Sequence, residues 1–430
     1  MNSLWRATCK MPAFPALDGD KNTDVLIIGG GITGLLTAHF LQQKGIDYIL
    51  LEKNRICSNT TENTTAKITI QHGLIYNKLI NNFGLEKAKL YMKANQMAFD
   101  KYKELFEIIK CDNEIKDNYV YSLDNRKKLE NEMLALDKLN YNAVLCEKSD
   151  LPFPIAGAVR FDNQMQFHPL KFLSQLSKDL NIYENTFVDD VKNNTAETAR
   201  GNITAKAIIF TTHFPFKDNH GCFPLKLFQH RSYIIALENA ADVNGMYVDE
   251  NNNGMTFRNY KNLLLIGGGG HRTGKQGGCW GELRKFSLNY FSDAKEKYHW
   301  AAQDCMSLDN SYYIGRYSKS KTNWYTATGF NKWGMTGAML AAIMLSDIIS
   351  GTENEYEEIF TPSRNILRPQ LFINGFETTV NMFAITPKRC SHLGCALKWN
   401  AAEHSWDCPC HGSRFNEKGE ILNNPANIDI

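Results

Sequence analysis

One stretch near the start of the chain limits its fold more than any other. Asp24-Val-Leu-Ile-Ile-Gly29-Gly-Gly31-Ile-Thr-Gly34 is a short apolar run that enters a glycine turn. Leu35, Leu36, Ala38, Phe40 and Leu41 then form the apolar side of a helix, with Gly45 as its stop. Tyr48-Ile-Leu-Leu51 reads as a second strand, closed by Glu52. This is a βαβ dinucleotide fingerprint, and it predicts an α/β fold of Rossmann-like type. Gly29 permits the tight turn, Gly31 lets a pyrophosphate approach the backbone, and Gly34 lets helix and strand pack closely. The helix N-terminus supplies amides and the positive end of a dipole for the diphosphate. Glu52 lies eighteen residues after Gly34, where an acid accepts hydrogen bonds from an adenosine ribose.

The opposite end carries a second pattern. Cys390-Ser-His392-Leu-Gly-Cys395 is followed by Cys408-Pro-Cys410-His411-Gly-Ser413, with fifteen residues between His392 and Cys408. Two thiolates and two imidazoles, as C-x-H and C-x-x-H, suit a [2Fe–2S] cluster with sulfur ligands on one iron and nitrogen ligands on the other. Structural zinc uses the same residue types. Zinc needs only four ligands and leaves Cys395 and Cys410 without a role. These two fall one per loop and could clip the loops together.

Two further segments bear on the nucleotide. Thr60-Thr-Glu-Asn-Thr64-Thr65-Ala-Lys67 is a hydroxyl-rich loop that reads as a second phosphate-facing turn. Trp324-Tyr-Thr-Ala-Thr328-Gly329-Phe-Asn-Lys-Trp-Gly334-Met335-Thr336 repeats the strand–glycine–helix logic, with a helix expected from about 335 to 349. Contacts so far apart in sequence fit a long cofactor lying across a discontinuous domain.

The first 360 residues resemble the FAD-dependent oxidoreductases of the D-amino-acid/glycine oxidase superfamily. The likeness is carried by the GGGITG turn, Thr64-Thr65-Ala-Lys67 with Gln71-His72-Gly73, Phe167-His168-Pro169, Ala207 to Pro215, His230-Arg231-Ser-Tyr233, Leu265 to Gly274, and Gly329 to Thr336. The last forty residues or so resemble the Rieske domain of the disulfide-bearing, cytochrome bc type. The resemblance implies FAD and a Rieske [2Fe–2S] cluster as cofactors. It implies Cys390, His392, Cys408 and His411 as cluster ligands and a Cys395–Cys410 disulfide. FAD contacts are implied at Gly29, Gly31, Gly34, Glu52, Thr65 and Val188, the last as a strand residue meeting the adenine, and at Gly329, Gly334 and Met335 near the flavin ring. Arg231, Tyr233 and His271, with Arg272, are the candidates for the chamber over the flavin, because the superfamily clamps a substrate carboxylate with arginine. Asn59 and Asn63 replace the family's glycine and histidine, and 324–336 lacks cysteine, which argues for non-covalent FAD. His72 is a minor candidate for attachment.

This reading implies an enzyme that oxidises a small amine, amino acid or hydroxy acid. Electrons would leave the flavin singly for the cluster and then for an external acceptor, protein or quinone. The alternative is a flavin/iron–sulfur redox sensor or electron carrier. An oxygenase ranks low, because the lobe is C-terminal and no iron triad is evident. A plain oxidase stays open. Cluster histidines are expected exposed at the lobe tip, Ser413 is expected beside a cluster sulfur, and Phe415 in place of tyrosine lowers the expected potential.

The 430 residues suffice for two flavoprotein lobes and a small appendix, and a net charge of +2 without a basic block excludes a nucleic-acid partner. No run reaches membrane-spanning length, and Met1 to Arg6 lack a signal-peptide core. Seven scattered cysteines outside the tail suit a reducing compartment, hence the cytoplasm. Residues 1–23 read as an irregular lead-in. FAD-binding pieces are expected at about 24–80, 151–213 and 322–350, and substrate or cap pieces at about 85–150 and 220–320. Within these, helices are expected near 85–110 and 129–139, and a mixed sheet in the second piece. The glycine run 267–270 reads as a tight loop near the flavin. A small all-β Rieske lobe is expected at 366–430, on a short hairpin base turned by Asn374-Gly375.

Overall fold

In this computed structural model, residues 3–217 and 220–430 are described. Met1 and Asn2, at the head of the lead-in, lie outside the described residues. The first sheet runs, in spatial order, Tyr313–Ser318, Lys321–Thr328, Ile203–Phe210, Lys21–Ile28, Tyr48–Leu51 and Ile182–Tyr183. The pairings from Lys321–Thr328 to Ile182–Tyr183 are all parallel. Parallel neighbours need a crossover, and the helix Ile32–Gln43 supplies the first. It is buried on almost every side because it packs between this sheet and the helix Gly334–Ser350. Gly45 follows at φ 68°, and Gly351 ends the later helix at φ 75°, as left-handed stops.

The second sheet runs Lys295–Ser307, Leu227–Glu238, Leu263–Arg272, Thr256–Tyr260, Met246–Asp249, Glu114–Ser122, Gly157–Gln166 and Lys67–Ile68. It is mixed, since Met246–Asp249 pairs parallel to Glu114–Ser122 while the other long pairings are antiparallel. The strand Gly157–Gln166 sits here, beside Glu114–Ser122 and Lys67–Ile68, and not in the nucleotide-binding sheet expected for 151–213. A local pattern announces a strand; its partner is chosen by packing over long sequence distances. The helices Leu85–Ile108 and Arg126–Lys138 form where the apolar spacing put them, and bury Tyr91, Ala94, Ala98, Tyr102 and Leu129.

Three local expectations are corrected. The glycine run 267–270 is not a loop but the middle of the strand Leu263–Arg272. A Cβ at Gly267 would lie 2.6 Å from Thr256 Cγ2, and one at Gly269 would lie 2.2 Å from the Cys279 carbonyl oxygen. The glycines therefore admit a neighbouring strand and the helix Cys279–Tyr290, rather than a turn. The lead-in holds a short helix, Leu4–Thr8, capped by the Ser3 hydroxyl. The Asn374-Gly375 hairpin is a helix, Pro369–Phe383, with proline in its first turn. Its polar side faces inward: Asn374 and Asn381 are buried, Asn374 accepts from Arg272 Nη1 at 2.9 Å, and the main-chain carbonyl of Asn381 accepts from the Ala396 amide at 2.8 Å. Phe372, Phe376 and Phe383, 70, 68 and 82 % exposed, point outward. Beyond it, Lys398–Asn400, Ser405–Asp407, Arg414–Phe415 and Ile421–Asn423 form a small antiparallel sheet.

Candidate functional site

A cleft opens at the C-terminal ends of the first sheet's parallel strands, where such folds bind ligands. Gly29, Gly31, Glu52, Val188, Gly334 and Met335 line it, with the hydroxyl-rich turn Ser58 to Thr61. Gly29 has φ 112°, and a Cβ there would stand 2.7 Å from the Thr211 carbonyl oxygen. A Cβ at Gly34 would lie 2.0 Å from the Gly29 carbonyl oxygen, so Gly34 serves the close packing of helix and strand and does not line the cleft. Glu52 accepts from the Gly30 amide at 2.7 Å and the Asn54 amide at 2.9 Å, and burial raises its pKa. Thr61 Oγ1 accepts from the Ile32 amide at 3.1 Å, which ties the second turn to the helix start. This cradle of glycine backbone, helix N-terminus and acid fits the diphosphate and ribose of a dinucleotide. Val188 lines the cleft from a loop, just before the strand Asp190–Lys192, and not from a strand as expected. Gly329, at φ 69°, packs against Tyr313, Leu227 and Ser307 outside the cleft.

A second cavity shares Thr60, Gly334 and Met335 with the cleft and extends over the second sheet. Thr65 lines this chamber rather than the cleft. Lys67, 8 % exposed, donates to Thr256 Oγ1 at 2.6 Å. Burial, then the nearby Arg258 guanidinium, pushes its pKa well below the usual lysine range. Arg258 is fully buried and donates to the Thr65 and Ala66 carbonyls at 2.8 Å each. Its Nε and Nη2 have no hydrogen-bond partner among the described residues, its guanidinium lies over the rings of Trp5 and Tyr260, and burial lowers it to about 9. Lys332 and Asp304 also line the chamber; burial lowers the first and raises the second. His72 Nδ1 lies 2.8 Å from the Tyr91 hydroxyl and its Nε2 2.8 Å from the Thr69 carbonyl. Burial lowers it to about 3, so it is a neutral, fully engaged histidine.

Arg231, Tyr233 and His271 lie elsewhere. Side chains alternate along a strand, so Ser232 and Ile234 face the chamber while Arg231 and Tyr233 face the other side of the sheet. There Arg231 Nε donates to Glu403 Oε1 at 3.0 Å, and the Tyr233 hydroxyl donates to the same oxygen at 3.0 Å. His271 Nε2 stands 3.0 Å from that hydroxyl. Arg272 donates to the carbonyls of Pro409 at 2.9 Å and Cys410 at 3.0 Å. Arg231, Tyr233 and Arg272 dock the C-terminal lobe, and His271 stands behind Tyr233. The pattern identified strand residues correctly, but not the face that a distant lobe would cover.

In that lobe Cys390 and Cys408 are buried, and Cys395 and Cys410 form a disulfide. The two buried thiols lean on each other: hydrogen bonds from Cys408 and Ser413 hold the Cys390 thiol below its ordinary range, and the contact with Cys390 pushes the Cys408 thiol well above it. His411 is 2 % exposed, burial keeps it neutral at about 3, and its Nδ1 has no hydrogen-bond partner among the described residues. Two buried thiols in contact, one of them shifted toward the thiolate that metals bind, a neutral imidazole and an orphaned buried nitrogen fit a metal cluster. In place of the exposed histidines expected at the lobe tip, His411 is buried and His392 half-buried. The rings of His392 and His411 stand 6.4 and 6.3 Å from the ring of Phe214, in the nucleotide-binding part. The lobe leans on the second sheet: Gln229 Nε2 donates to the His411 carbonyl at 2.9 Å, and Gln303 Nε2 to the Gly412 carbonyl at 2.8 Å. A Cβ at Gly274 would stand 2.5 Å from the Pro409 nitrogen. Gln229, Gln303, Glu403 and Asn424 had no local signal in the sequence, since each bonds across this interface to residues far away along the chain.

Comparison with known proteins agrees with both halves. Residues 24–348 match the family described as FAD dependent oxidoreductase, and 370–429 match the Rieske [2Fe-2S] domain. A chain of Bacillus subtilis (strain 168) named as a Rieske 2Fe-2S iron-sulfur protein, YhfW, is 35% identical over 99% of this chain and 96% of its own. The chloroplastic cytochrome b6-f complex iron-sulfur subunit of Triticum aestivum is 49% identical over 41 residues, 10% of this chain and 18% of that one. The crystal structure of glycine oxidase from Geobacillus kaustophilus superposes with a TM-score of 0.68 at 16% identity, covering 80% of this chain and 99% of that one. At that identity the likeness is one of fold. Among the described residues no helix is long and apolar enough to cross a membrane.

Proposed function

The chain belongs to the FAD dependent oxidoreductase family and carries a Rieske [2Fe-2S] domain, and from that premise we propose that it oxidises a small carboxylate-bearing amine, amino acid or hydroxy acid and passes the electrons singly to an external acceptor. FAD would be held by Gly29, Gly31, Glu52 and Val188 in the cleft, by Gly34 through helix packing, and by Gly334 and Met335 where cleft and chamber meet. Gly329 shapes that turn, and Thr65 borders the chamber beside it. The cluster would be held by Cys390, Cys408, His392 and His411. When bound, FAD accepts two electrons from a donor and the cluster takes one at a time, at a potential that imidazole ligands raise.

The chamber's own residues support the substrate class. Lys67 has a like charge, Arg258, as the charged neighbour acting on it. An anionic group would relieve both and give Lys67 a charge-assisted hydrogen bond. Lys332 adds a second cation on the chamber wall, and Asp304 a carboxyl within its field. Trp333 adds an apolar ring to the chamber wall, and Met335 lies where chamber and cleft meet.

One observation carries the coupling of the two redox groups. Leu422, Asn423, Asn424 and Asn427 of the lobe line the same cleft as the dinucleotide fingerprint. Anaerobic mixing with small amines, amino acids and hydroxy acids tests the proposal. The expected result is bleaching of the flavin band followed by the EPR signal of the reduced cluster. If dithionite reduces both groups while no organic donor reduces either, the protein is an electron carrier or sensor. Peroxide release at an undiminished rate by a Cys408→Ser variant would make it a plain oxidase.

A further inference from the structure

We infer that the Rieske lobe completes the FAD site, and that FAD binding and the cluster's surroundings are energetically coupled through one short loop. This rests on the reading above, in which FAD fills the cleft and the cluster lies between the two cysteine–histidine loops. Asn424 is the latch. Its Nδ2 donates to the carbonyls of Thr212 at 2.6 Å and Phe214 at 2.9 Å. Its own carbonyl accepts from Gln229 Nε2 at 2.8 Å, and the same amide donates to the His411 carbonyl.

The loop it grips, 211–214, has two working faces. Thr211, Thr212 and His213 line the FAD cleft. Phe214 is fully buried and presents its ring to both His392 and His411. His213 holds φ 69°, a left-handed conformation unusual for a side chain other than glycine, and its carbonyl is pinned by Thr328 Oγ1 at 2.5 Å. Its Nε2 is shielded from water and has no hydrogen-bond partner among the described residues. A buried nitrogen in that state calls for a partner, and His213 borders the cleft in which FAD is proposed to lie. A loop strained and tethered in this way cannot shift on its FAD face without shifting Phe214 against the histidines. By linkage the coupling is reciprocal: whatever FAD does to the cluster's surroundings, the lobe does to FAD affinity.

The test uses the full-length, cluster-loaded protein with FAD removed and added back. The variants are Asn424→Ala, which opens the latch, and Asn427→Ala, which alters the lobe's wall of the cleft outside the latch. The expected result is full iron content with FAD dissociation constants raised about tenfold or more in both. In the wild type, removing FAD should shift the g-values of the dithionite-reduced cluster, and adding it back should restore them. The inference is overturned if Asn427→Ala binds FAD as the wild type does, or if the g-values are the same with and without FAD. Should Asn424→Ala lose iron, Asn427→Ala and the wild-type spectra decide alone. A wild-type protein that takes up no FAD or no iron would instead defeat the functional reading beneath.

Discussion

Lys67 shows how a single buried charge defines a chamber. It is denied solvent, neighbours Arg258, and meets only threonine hydroxyls among its hydrogen-bond partners. Replacing it by methionine should raise KM for a carboxylate substrate about 10–100-fold, the ~1.5–3 kcal/mol of a charge-assisted hydrogen bond. Steady-state kinetics on the reduced-flavin signal would show it, and an unchanged KM would remove Lys67 from substrate binding. Because its folded pKa is lowered, wild-type affinity should fall as pH rises, earlier than an ordinary lysine would allow. Glu403 makes the opposite case at the lobe interface. Burial raises its pKa, but Arg231 and Arg414 more than offset this and hold it at about 2. Its stabilisation is thus fully present above the ordinary glutamate range and is lost as pH falls toward 2. Glu403→Gln leaves the buried Arg231 guanidinium without its carboxylate, while Arg414 keeps Asp407. It should cost about 3–5 kcal/mol at neutral pH, and the deficit against wild type should shrink in denaturant melts taken at lower pH. A deficit that does not change with pH would mean the ion pair contributes nothing.

Among the elements, the strand Leu263–Arg272 and the helix Pro369–Phe383 show where local rules yield to packing. Four successive glycines ordinarily signal a loop, yet here they are a strand flattened to let a chamber and a helix approach it. Gly267→Val should therefore do two things. Its Cβ would press on Thr256, at a cost of about 1–3 kcal/mol in thermal unfolding. It would also fill the chamber wall, so kcat/KM should collapse while the flavin spectrum stays intact. Retained turnover would show that the substrate does not use that wall. Asn374-Gly375 is a strong hairpin signal between apolar runs, and it lost because Asn374 and Asn381 lie seven residues apart, on one helix face that is buried, where Arg272 binds the Asn374 side chain. By contrast the helix Gly334–Ser350 and the unit from Lys21 to Leu51 were legible, since their apolar spacing and glycine positions carry the whole signal.

At the scale of the molecule, the lobe is fastened to the second sheet by Arg231, Arg272, Gln229 and Gln303 and to the first through Asn424. Cys408→Ser should abolish iron and the EPR signal, while the absorbance of any bound flavin persists and is still bleached by donor; iron and EPR content matching wild type would exclude Cys408 as a ligand. The sequence by itself determined the chemistry: cysteine and histidine at fixed short spacings, and glycine where a pyrophosphate must come close, are constraints within a few residues of chain. It could not determine which face of Leu227–Glu238 meets the chamber and which meets the lobe, nor that the rings of His392 and His411 come to lie beside Phe214. Those outcomes depend on residues some two hundred positions apart whose contacts exist only after both sheets and the lobe have packed, and no local pattern carries that information.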